Sequence, residues 1–155
     1  MSQGGHLAQA ARALQERRYA DAEHHCRGAI AANASDAEAW HLLALVRRAT
    51  GDHASSLLAI GRSVEFNPRD AEARSNHAHI LLANGQWEAA FAEFNAALEL
   101  SAGFRPARLG LARLCIDLGL QADALGHADR LLKKDRRDAE AWSARGSALH
   151  GLGRF

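Results

Sequence analysis

The sequence has few residues that break helices and few that could cross-link a fold. It contains two prolines and two cysteines among 155 residues, and β-branched residues are scarce. Two prolines cannot interrupt much helix, and Cys26 and Cys115 stand too far apart in the sequence to form a metal-binding or redox motif. We therefore expect an all-α protein whose two cysteines are small buried residues.

The chain also lacks a large charge of either sign and any long apolar run. Its 19 basic and 18 acidic side chains give a formal net charge of +1, whereas nucleic acids and anionic membranes are bound by a concentrated basic face. Apolar runs such as residues 42–46 are far too short to span a bilayer, and the N-terminus has no apolar stretch of signal-peptide length. These absences predict a cytoplasmic protein that neither binds nucleic acid nor inserts into a membrane.

Motifs for catalysis or metal binding are missing as well. Residues 23–26 (EHHC) contain ligand-type side chains, but adjacent residues on a helix point about 100° apart and cannot converge on one ion. His77 and His79 diverge in the same way. The sequence has no phosphate-binding glycine loop, no zinc-protease histidine pair and no serine nucleophile elbow. We expect no enzymatic activity, no metal and no other cofactor.

A 34-residue repeat runs through the whole chain. The phrase DAEAW stands at residues 36–40 and 138–142, and DAEAR stands at residues 70–74. In rows of this length the chain divides into residues 3–36, 37–70, 71–104, 105–138 and, incompletely, 139–155. Self-similarity at a fixed period is the signature of repeat architectures. We therefore expect residues 1–155 to form a single array of repeats.

Four positions of the row recur with a common residue type. Position 8 reads Ala10, Ala44, Ala78, Ala112 and Gly146, and position 20 reads Ala22, Ser56, Ala90 and Ala124. Position 15 is glycine in four of five rows, as Gly51, Gly85, Gly119 and Gly153, with Arg17 in the first row. Position 17 is aromatic in three rows, as Tyr19, Trp87 and Phe155. The repeat therefore keeps small residues at two positions, glycine at a third and aromatic residues at a fourth.

Each row is predicted to fold as two antiparallel helices. Asp36, Asp70 and Asp138 precede the first helices, where a carboxylate can accept hydrogen bonds from free backbone N–H groups. Glycine at position 15 ends that helix, because a residue without Cβ adopts a positive φ at little cost. Small residues at positions 8 and 20 let the two helices approach closely, and the larger apolar residues are buried only when rows stack. This is the arrangement of an α-solenoid.

The row pattern resembles the tetratricopeptide repeat family. The matching residues are Trp40, Leu43, Ala44, Gly51, Ile60 and Pro68 in row 37–70, and Ala78, Leu81, Gly85, Trp87, Ala90, Phe94 and Ala97 in row 71–104. Arg74 and Arg108 depart from the pattern, since a large apolar residue is usual at position 4. We expect either looser corners there or packing by the alkyl parts of these arginines. The resemblance implies a right-handed α-solenoid of helix-turn-helix repeats.

The resemblance also implies a concave surface that binds a peptide or protein segment. In the family this surface is lined by the first helices of successive repeats, chiefly through positions 2, 5, 6, 9, 12 and 13. Carried over to this sequence, the candidate groove residues are His41, Leu45, Arg48, Ser75, Asn76, His79, Leu82, Leu109, Arg113, Ile116 and Asp117. Leu45, Leu82, Leu109 and Ile116 would form an apolar floor among hydrogen-bonding groups. We predict a non-enzymatic interaction scaffold or adaptor.

One known variant of this groove, the dicarboxylate clamp that binds chaperones, is not expected here. Of its five polar residues only Asn76 is present, while His41 replaces lysine, Leu45 replaces asparagine, and Pro106 and Gly110 replace the two basic residues. The histidines of the candidate groove suggest a different property. We hypothesise that affinity for an acidic peptide rises as the pH falls towards about 6.

The last row leaves two further functions open. It stops at Phe155, where its second helix would begin, so Trp142, Leu149 and Leu152 of the predicted helix 139–152 have no covering helix. If the sequence is part of a longer protein, the array resembles the N-terminal recognition modules of bacterial glycosyltransferases, sulfotransferases or hydroxylases. If that helix instead caps the array, its apolar residues fold inward or onto a second copy, which would make a self-assembling adaptor.

Overall fold

The computed structural model describes residues 3–153, which form nine helices and no strands. The helices are α1 (Gln3–Gln15), α2 (Tyr19–Ala32), α3 (Ala37–Ala49), α4 (His53–Phe66), α5 (Ala71–Ala83), α6 (Trp87–Leu100), α7 (Arg105–Asp117), α8 (Gln121–Lys134) and α9 (Ala139–Gly151). Odd-numbered helices are the first helices of the rows and even-numbered ones are the second helices. The predicted all-α helical solenoid is confirmed.

Contacts between helices are local in sequence. Each helix packs against the next one along the chain, and first helices also contact the first helix of the following row, as α1 with α3, α5 with α7 and α7 with α9. Such stacking, in which a repeat touches only its neighbours, defines a solenoid. It also places the first helices side by side along one face.

The predicted capping residues begin the first helices. The Asp36 carboxylate accepts hydrogen bonds from two backbone N–H groups of α3, and the Asp70 carboxylate does the same for α5. The Asp138 carboxylate accepts one from the backbone N–H of Ala141 in α9. Each bond satisfies a donor that the helix cannot pair internally.

The turn between the two helices of a row has the same geometry throughout the array. Gly51, Gly85, Gly119 and Gly153 have φ values of 81°, 72°, 75° and 67°. Arg17, which replaces glycine in the first row, adopts the same left-handed conformation at 57°. The turn is therefore fixed by the packing of the two helices, and glycine lowers its cost.

Small residues lie where the two helices of a row meet, as predicted. Ser56 and Ala44 are fully buried, and the Ser56 hydroxyl donates a hydrogen bond of 2.8 Å to the Ala44 carbonyl. Ala78 and Ala90 belong to one core cluster, which also contains the fully buried Phe94. Close helix approach therefore occurs at positions 8 and 20.

A shared hydrogen bond explains why position 4 holds tryptophan in two rows and arginine in two others. In four successive rows this side chain donates to the carbonyl six residues upstream: Trp40 to Ala34, Arg74 to Pro68, Arg108 to Ala102, and Trp142 to Arg136. Indole and guanidinium both place an N–H group at the end of a flat, partly apolar side chain. The arginine corners are therefore closed by the same bond as the tryptophan corners, not looser.

The outer side of α9 is partly open, as the sequence suggests. Trp142 and Leu152 are exposed and Leu149 is half-buried. The Arg145 guanidinium lies 5.5 Å from the centre of the Trp142 ring, which covers part of the indole. Phe155, the third aromatic residue of position 17, lies outside the described residues.

Candidate peptide-binding groove

The first helices leave three adjacent cavities along their common face. A cavity of about 380 Å³ lies along α3 and the start of α5, one of about 520 Å³ lies between α3, α5 and α7, and one of about 210 Å³ lies between α7 and α9. Glu72 lines both of the larger cavities. We call this row of cavities the first-helix groove.

The central cavity of the groove combines charged, polar and apolar groups. It is lined by Arg48, Glu72, Ser75, Asn76, His79, Phe104 and Pro106. Four of the predicted groove residues, Arg48, Ser75, Asn76 and His79, thus lie together in it. Opposed charges, hydrogen-bonding groups and an aromatic wall within one concave site are suited to a polar segment with an apolar part.

Ser75 is an unusually buried member of this cavity. The residue is only 2% exposed, and its hydroxyl has no hydrogen-bond partner among the described residues. A buried hydroxyl without a partner costs about 1–3 kcal/mol of stability, so such groups are rare in folded proteins. Ser75 also lines the central cavity, which is about 520 Å³ in volume.

His41 and Asn76 connect the central cavity with the one along α3. The Asn76 amide nitrogen lies 2.8 Å from His41 Nε2, so a neutral His41 can accept a hydrogen bond from the amide. Burial lowers the pKa of His41, although the carboxylates of Glu72, Asp70 and Glu38 oppose that shift. The imidazole is therefore mostly neutral near pH 7 and holds the amide in place.

The His79 ring packs against the protein core. Its ring meets the Phe94 ring edge-on with the centroids 4.9 Å apart. Burial lowers the pKa of His79, and the positive charges of Arg48 and Arg113 lower it further. His79 is therefore neutral near pH 7 and offers the groove a hydrogen-bonding ring rather than a charge.

The two arginines of the groove differ in their availability. Arg113 Nη2 lies 2.7 Å from Glu140 Oε1, and the same carboxylate pairs with Arg105 at 2.7 Å. Arg48 is exposed and forms no ion pair with any residue between 3 and 153. An incoming anion would meet Arg48 without displacing an internal partner.

The predicted apolar floor is interrupted. Leu45 and Ile116 are half-buried and line the two outer cavities, the latter together with Asp117. Leu82 packs on the core cluster that contains Phe94. Leu109 is only 5% exposed, because its side chain fills the space between α7, α8 and α9. Because Leu109 lines none of the three cavities, we leave it out of the candidate binding surface.

Three residues that line the central cavity were not among the predicted site residues. Glu72 and Pro106 occupy position 2 of their rows, which the family resemblance already names as a groove position. Phe104 stands at the end of its row, immediately before α7, and no sequence signal marks it. Glu72 matters most of the three, because it adds a negative charge to the cavity that Arg48 also lines.

Gly110 shows why one clamp position cannot carry a basic side chain here. A Cβ atom added to Gly110 would lie 2.4 Å from Cζ of Phe94, well inside van der Waals contact. The Phe94 ring occupies the space that the first atoms of an arginine or lysine side chain would need. The predicted absence of the dicarboxylate clamp thus has a packing cause.

Other kinds of site receive no support within residues 3–153. No group of three or more His, Cys, Asp or Glu side chains there is arranged to hold a metal ion. No helix of the described part is both long and apolar enough to cross a membrane. Cys26 is fully buried, and burial raises the pKa of its thiol to about 12, so the reactive thiolate is scarce.

Solved structures with the same fold include several bacterial repeat proteins. PilF of Pseudomonas aeruginosa is 16% identical with a TM-score of 0.89, over 97% of this chain and 69% of that one. YrrB, a TPR protein described as having an unusual peptide-binding site, is 15% identical with a TM-score of 0.81, over 96% and 76%. An O-GlcNAc transferase mutant of Thermobaculum terrenum is 23% identical with a TM-score of 0.80, over 85% and 26%. At such identities the likeness establishes the fold alone.

Comparison of sequences identifies the family. No curated protein sequence matches the chain significantly. Two sequence models described as tetratricopeptide repeats match residues 7–72 and 81–148. Together with the helix pairs, the recurrent glycine turn and the stacked first helices, these matches show that the chain belongs to the tetratricopeptide repeat family.

Proposed function

We propose that this chain is a non-enzymatic, cytosolic interaction scaffold that holds a peptide or an extended protein segment in the first-helix groove. Tetratricopeptide folds serve protein interaction in general, and YrrB is described as having a peptide-binding site. The observation that carries the proposal is that Ser75, which lines the central cavity, has a buried hydroxyl without a partner among the described residues.

The charges of the groove suggest which part of a segment would bind at this cavity. Arg48 can form a charge-assisted hydrogen bond with a carboxylate, whereas the Arg113 guanidinium is already engaged by Glu140. Ser75 can donate to the same carboxylate or to a neighbouring carbonyl, and Phe104 would contact the aliphatic part of the residue. The preferred segment therefore presents an acidic side chain towards Arg48.

The cavity along α3, which adjoins the central cavity, should prefer neutral or basic residues of the segment. The cavity along α3 is lined by the carboxylates of Glu38, Asp70 and Glu72, and no lysine or arginine lines it. A uniformly acidic segment would be repelled there. The proposal is therefore a segment with an acidic residue at the central cavity and neutral or basic residues along α3.

Peptides selected from a random display library on the purified chain would test this function. Arg48→Gln should weaken the best peptide about tenfold, the usual worth of one charge-assisted contact. Arg62→Gln is the matched control, because Arg62 is an exposed arginine on the second helix α4 that pairs only with Glu65 nearby. Equal losses in the two variants would contradict the proposal.

Ser75→Ala separates binding from folding. Removal of a buried hydroxyl without a partner should raise the free energy of unfolding by about 1 kcal/mol. The same change should weaken peptide binding, because the ligand then loses its hydrogen bond. A variant with unchanged peptide affinity would show that Ser75 is a structural residue only.

The pH dependence follows from the two histidines of the groove. Anion binding favours a protonated ring, so an acidic peptide should bind more tightly as His41 and His79 gain protons. Because burial lowers the pKa of both residues, the gain should appear at a lower pH than it would for ordinary histidines. An affinity that does not change down to about pH 5 would show that His41 and His79 do not contribute to anion binding.

A second candidate function places the same groove in a larger enzyme. The Thermobaculum transferase shares this fold over a part of its length, and the aligned chain spans only 26% of it. An array of this kind would present a protein substrate to a catalytic domain. The reading frame downstream of codon 155 decides between the two functions, since an immediate stop codon would exclude the enzyme.

A further inference from the structure

A second, apolar cleft lies away from the first-helix groove. Trp87, Glu88 and Phe91 at the start of α6 form one wall, and Leu118 and Leu120 of the turn between α7 and α8 form the other. The cleft has a volume of about 280 Å³. We call it the turn-edge cleft, and none of its residues was predicted to bind anything.

The cleft exposes large apolar side chains to solvent. Trp87, Leu118 and Leu120 are 52%, 40% and 43% exposed, whereas Phe91 is half-buried. Trp40 and Trp142 each donate their indole N–H to a backbone carbonyl, but Trp87 makes no such bond within the described residues. Grouped apolar side chains with an open cleft between them mark binding surfaces more often than scattered ones.

The repeat itself shows that the fold does not require leucine at these two turn positions. The same two positions hold Thr50 and Asp52 in row 37–70, and Asn84 and Gln86 in row 71–104. The Thr50 hydroxyl donates to a carbonyl at the end of α3, and the Asn84 amide donates to the equivalent carbonyl of α5. Leu118 cannot make this bond, although its turn has the same geometry.

Leucine is also poorly suited to the second of these positions, which is the N-cap of the second helix. The Asp52 carboxylate caps α4 by accepting a hydrogen bond from the Ser55 backbone N–H. Leu120 stands at the matching position before α8 and forms no side-chain cap. Leucine is among the residues least suited to an N-cap. Row 105–138 therefore lacks the carbonyl bond that rows 37–70 and 71–104 make and the cap that row 37–70 makes, and it carries two exposed apolar side chains there.

Charge around the cleft indicates what it binds. Residues 84–92 and 117–125, which form its walls, contain Glu88, Asp117 and Asp123 and no lysine, arginine or histidine. Glu88 lines the cleft, and Asp123 is exposed at the start of α8. Complementary charge steers and orients a partner, while an apolar side chain buried in a pocket supplies most of the affinity.

We infer that the turn-edge cleft is a second docking site for a peptide segment with an aromatic or aliphatic anchor flanked by lysine or arginine. The anchor enters between Trp87 and Leu120, and the flanking cations face Glu88 and Asp123. A second copy of this chain is a poor occupant, because a two-fold contact would bring the acidic residues of both clefts together. The inference does not depend on the function proposed for the first-helix groove.

Three synthetic peptides test the inference on the full chain. The probe is acetyl-KKFLKK-amide, and its controls are acetyl-EEFLEE-amide with the charges reversed and acetyl-KKSGKK-amide without the anchor. Isotope-edited NMR resolves the three tryptophan indole N–H groups. The probe should shift the Trp87 signal and leave Trp40 unchanged, with about tenfold weaker binding of either control. Added salt should weaken the probe as well.

A double variant built from the sequence of another row provides the matched control. Leu118→Thr with Leu120→Asp installs the residues of the turn in row 37–70, so it should fold and should melt about 2–4 °C higher through the restored caps. It adds negative charge, yet it should bind the probe about tenfold more weakly because the apolar wall is gone.

Four outcomes of the peptide experiments would overturn the inference. These are an unshifted Trp87 signal, equal binding of the charge-reversed peptide, undiminished binding by the double variant, and shifts centred on His79 instead of Trp87. The last result would assign the probe to the first-helix groove. Concentration-dependent self-association that is abolished by the double variant would assign the cleft to a second copy instead.

Discussion

Replacement of Gly110 by alanine should disturb the contact between α6 and α7. The new methyl group would lie 2.4 Å from Cζ and 2.5 Å from Cε1 of the Phe94 ring, whereas carbon atoms in contact are normally about 3.5–4.0 Å apart. The ring would have to move by more than about 1 Å. Phe94 is fully buried and its ring also contacts the His79 ring, so the core has little room for this movement.

Two opposed effects set the magnitude for Gly110→Ala. Overpacking of a well-packed core costs about 1–3 kcal/mol, and an overlap of this size against a fully buried ring belongs at the upper end. Alanine in place of glycine inside a helix contributes about 1 kcal/mol in the other direction. We expect a net loss of about 2 kcal/mol in the free energy of unfolding.

Gly126→Ala is the matched control for this prediction. Gly126 is exposed inside α8, and an added Cβ there meets no atom within 4 Å. This variant should gain about 0.5–1 kcal/mol, so urea unfolding followed by circular dichroism should separate the two variants by about 3 kcal/mol. Phe94→Leu should reduce the penalty of Gly110→Ala in a double-mutant cycle. Equal stability of the two alanine variants would refute the packing argument.

Substitutions at four further positions test the caps, corners and turns. Asp138→Asn should lose about 1 kcal/mol near pH 7, because it removes the charge that pairs with Arg105. Hydrogen bonds from Arg105 lower the pKa of Asp138 from its ordinary 3.8 to about 2, so this stabilisation is present above that ordinary value. Acid titration of both proteins should show the difference vanishing as the pH falls to about 2. Arg108→Leu should lower the urea midpoint by removing the corner hydrogen bond, whereas Arg108→Trp should preserve it. Gly85→Ala, at a φ of 72°, should cost about 1–2 kcal/mol, and Arg17→Gly, at 57°, should be stabilising in thermal melts.

The fold is predictable from this sequence because its signals are local and repeat in phase. An aspartate that caps the helix three residues later, or a glycine at a positive φ, acts through bonds to residues a few positions away in the sequence. Because the same residue types recur in successive rows, each weak signal is seen several times. Arg17 shows the limit of residue identity, since it adopts the glycine conformation because its row has to turn there.

The candidate site is predictable only in part, because its properties depend on contacts between rows. The positions of Asn76 and His79 follow from their place on α5, and both line the central cavity. The pairing of Arg113 with Glu140 is set by α9 of the next row, and the burial of Leu109 is set by α8 together with α9. The missing partner of Ser75 is likewise a property of its packed surroundings.

The turn-edge cleft could have been found from the sequence by a different comparison. The search for repeated residues draws attention to positions that agree between rows. Leu118 and Leu120 stand out because they disagree with the polar residues at the same positions of the preceding rows. In a repeat protein, a departure that gives up hydrogen bonds of the fold is itself a signal of function.

The central claim is that the first-helix groove binds a segment at Ser75, and NMR mapping of a library-selected peptide tests it most directly. The account predicts the largest backbone shifts at Ser75, Asn76 and His79, together with a new protected Arg48 side-chain N–H signal. Shifts confined to the second helices, with Ser75 and Arg48 unchanged at saturating peptide, would contradict it.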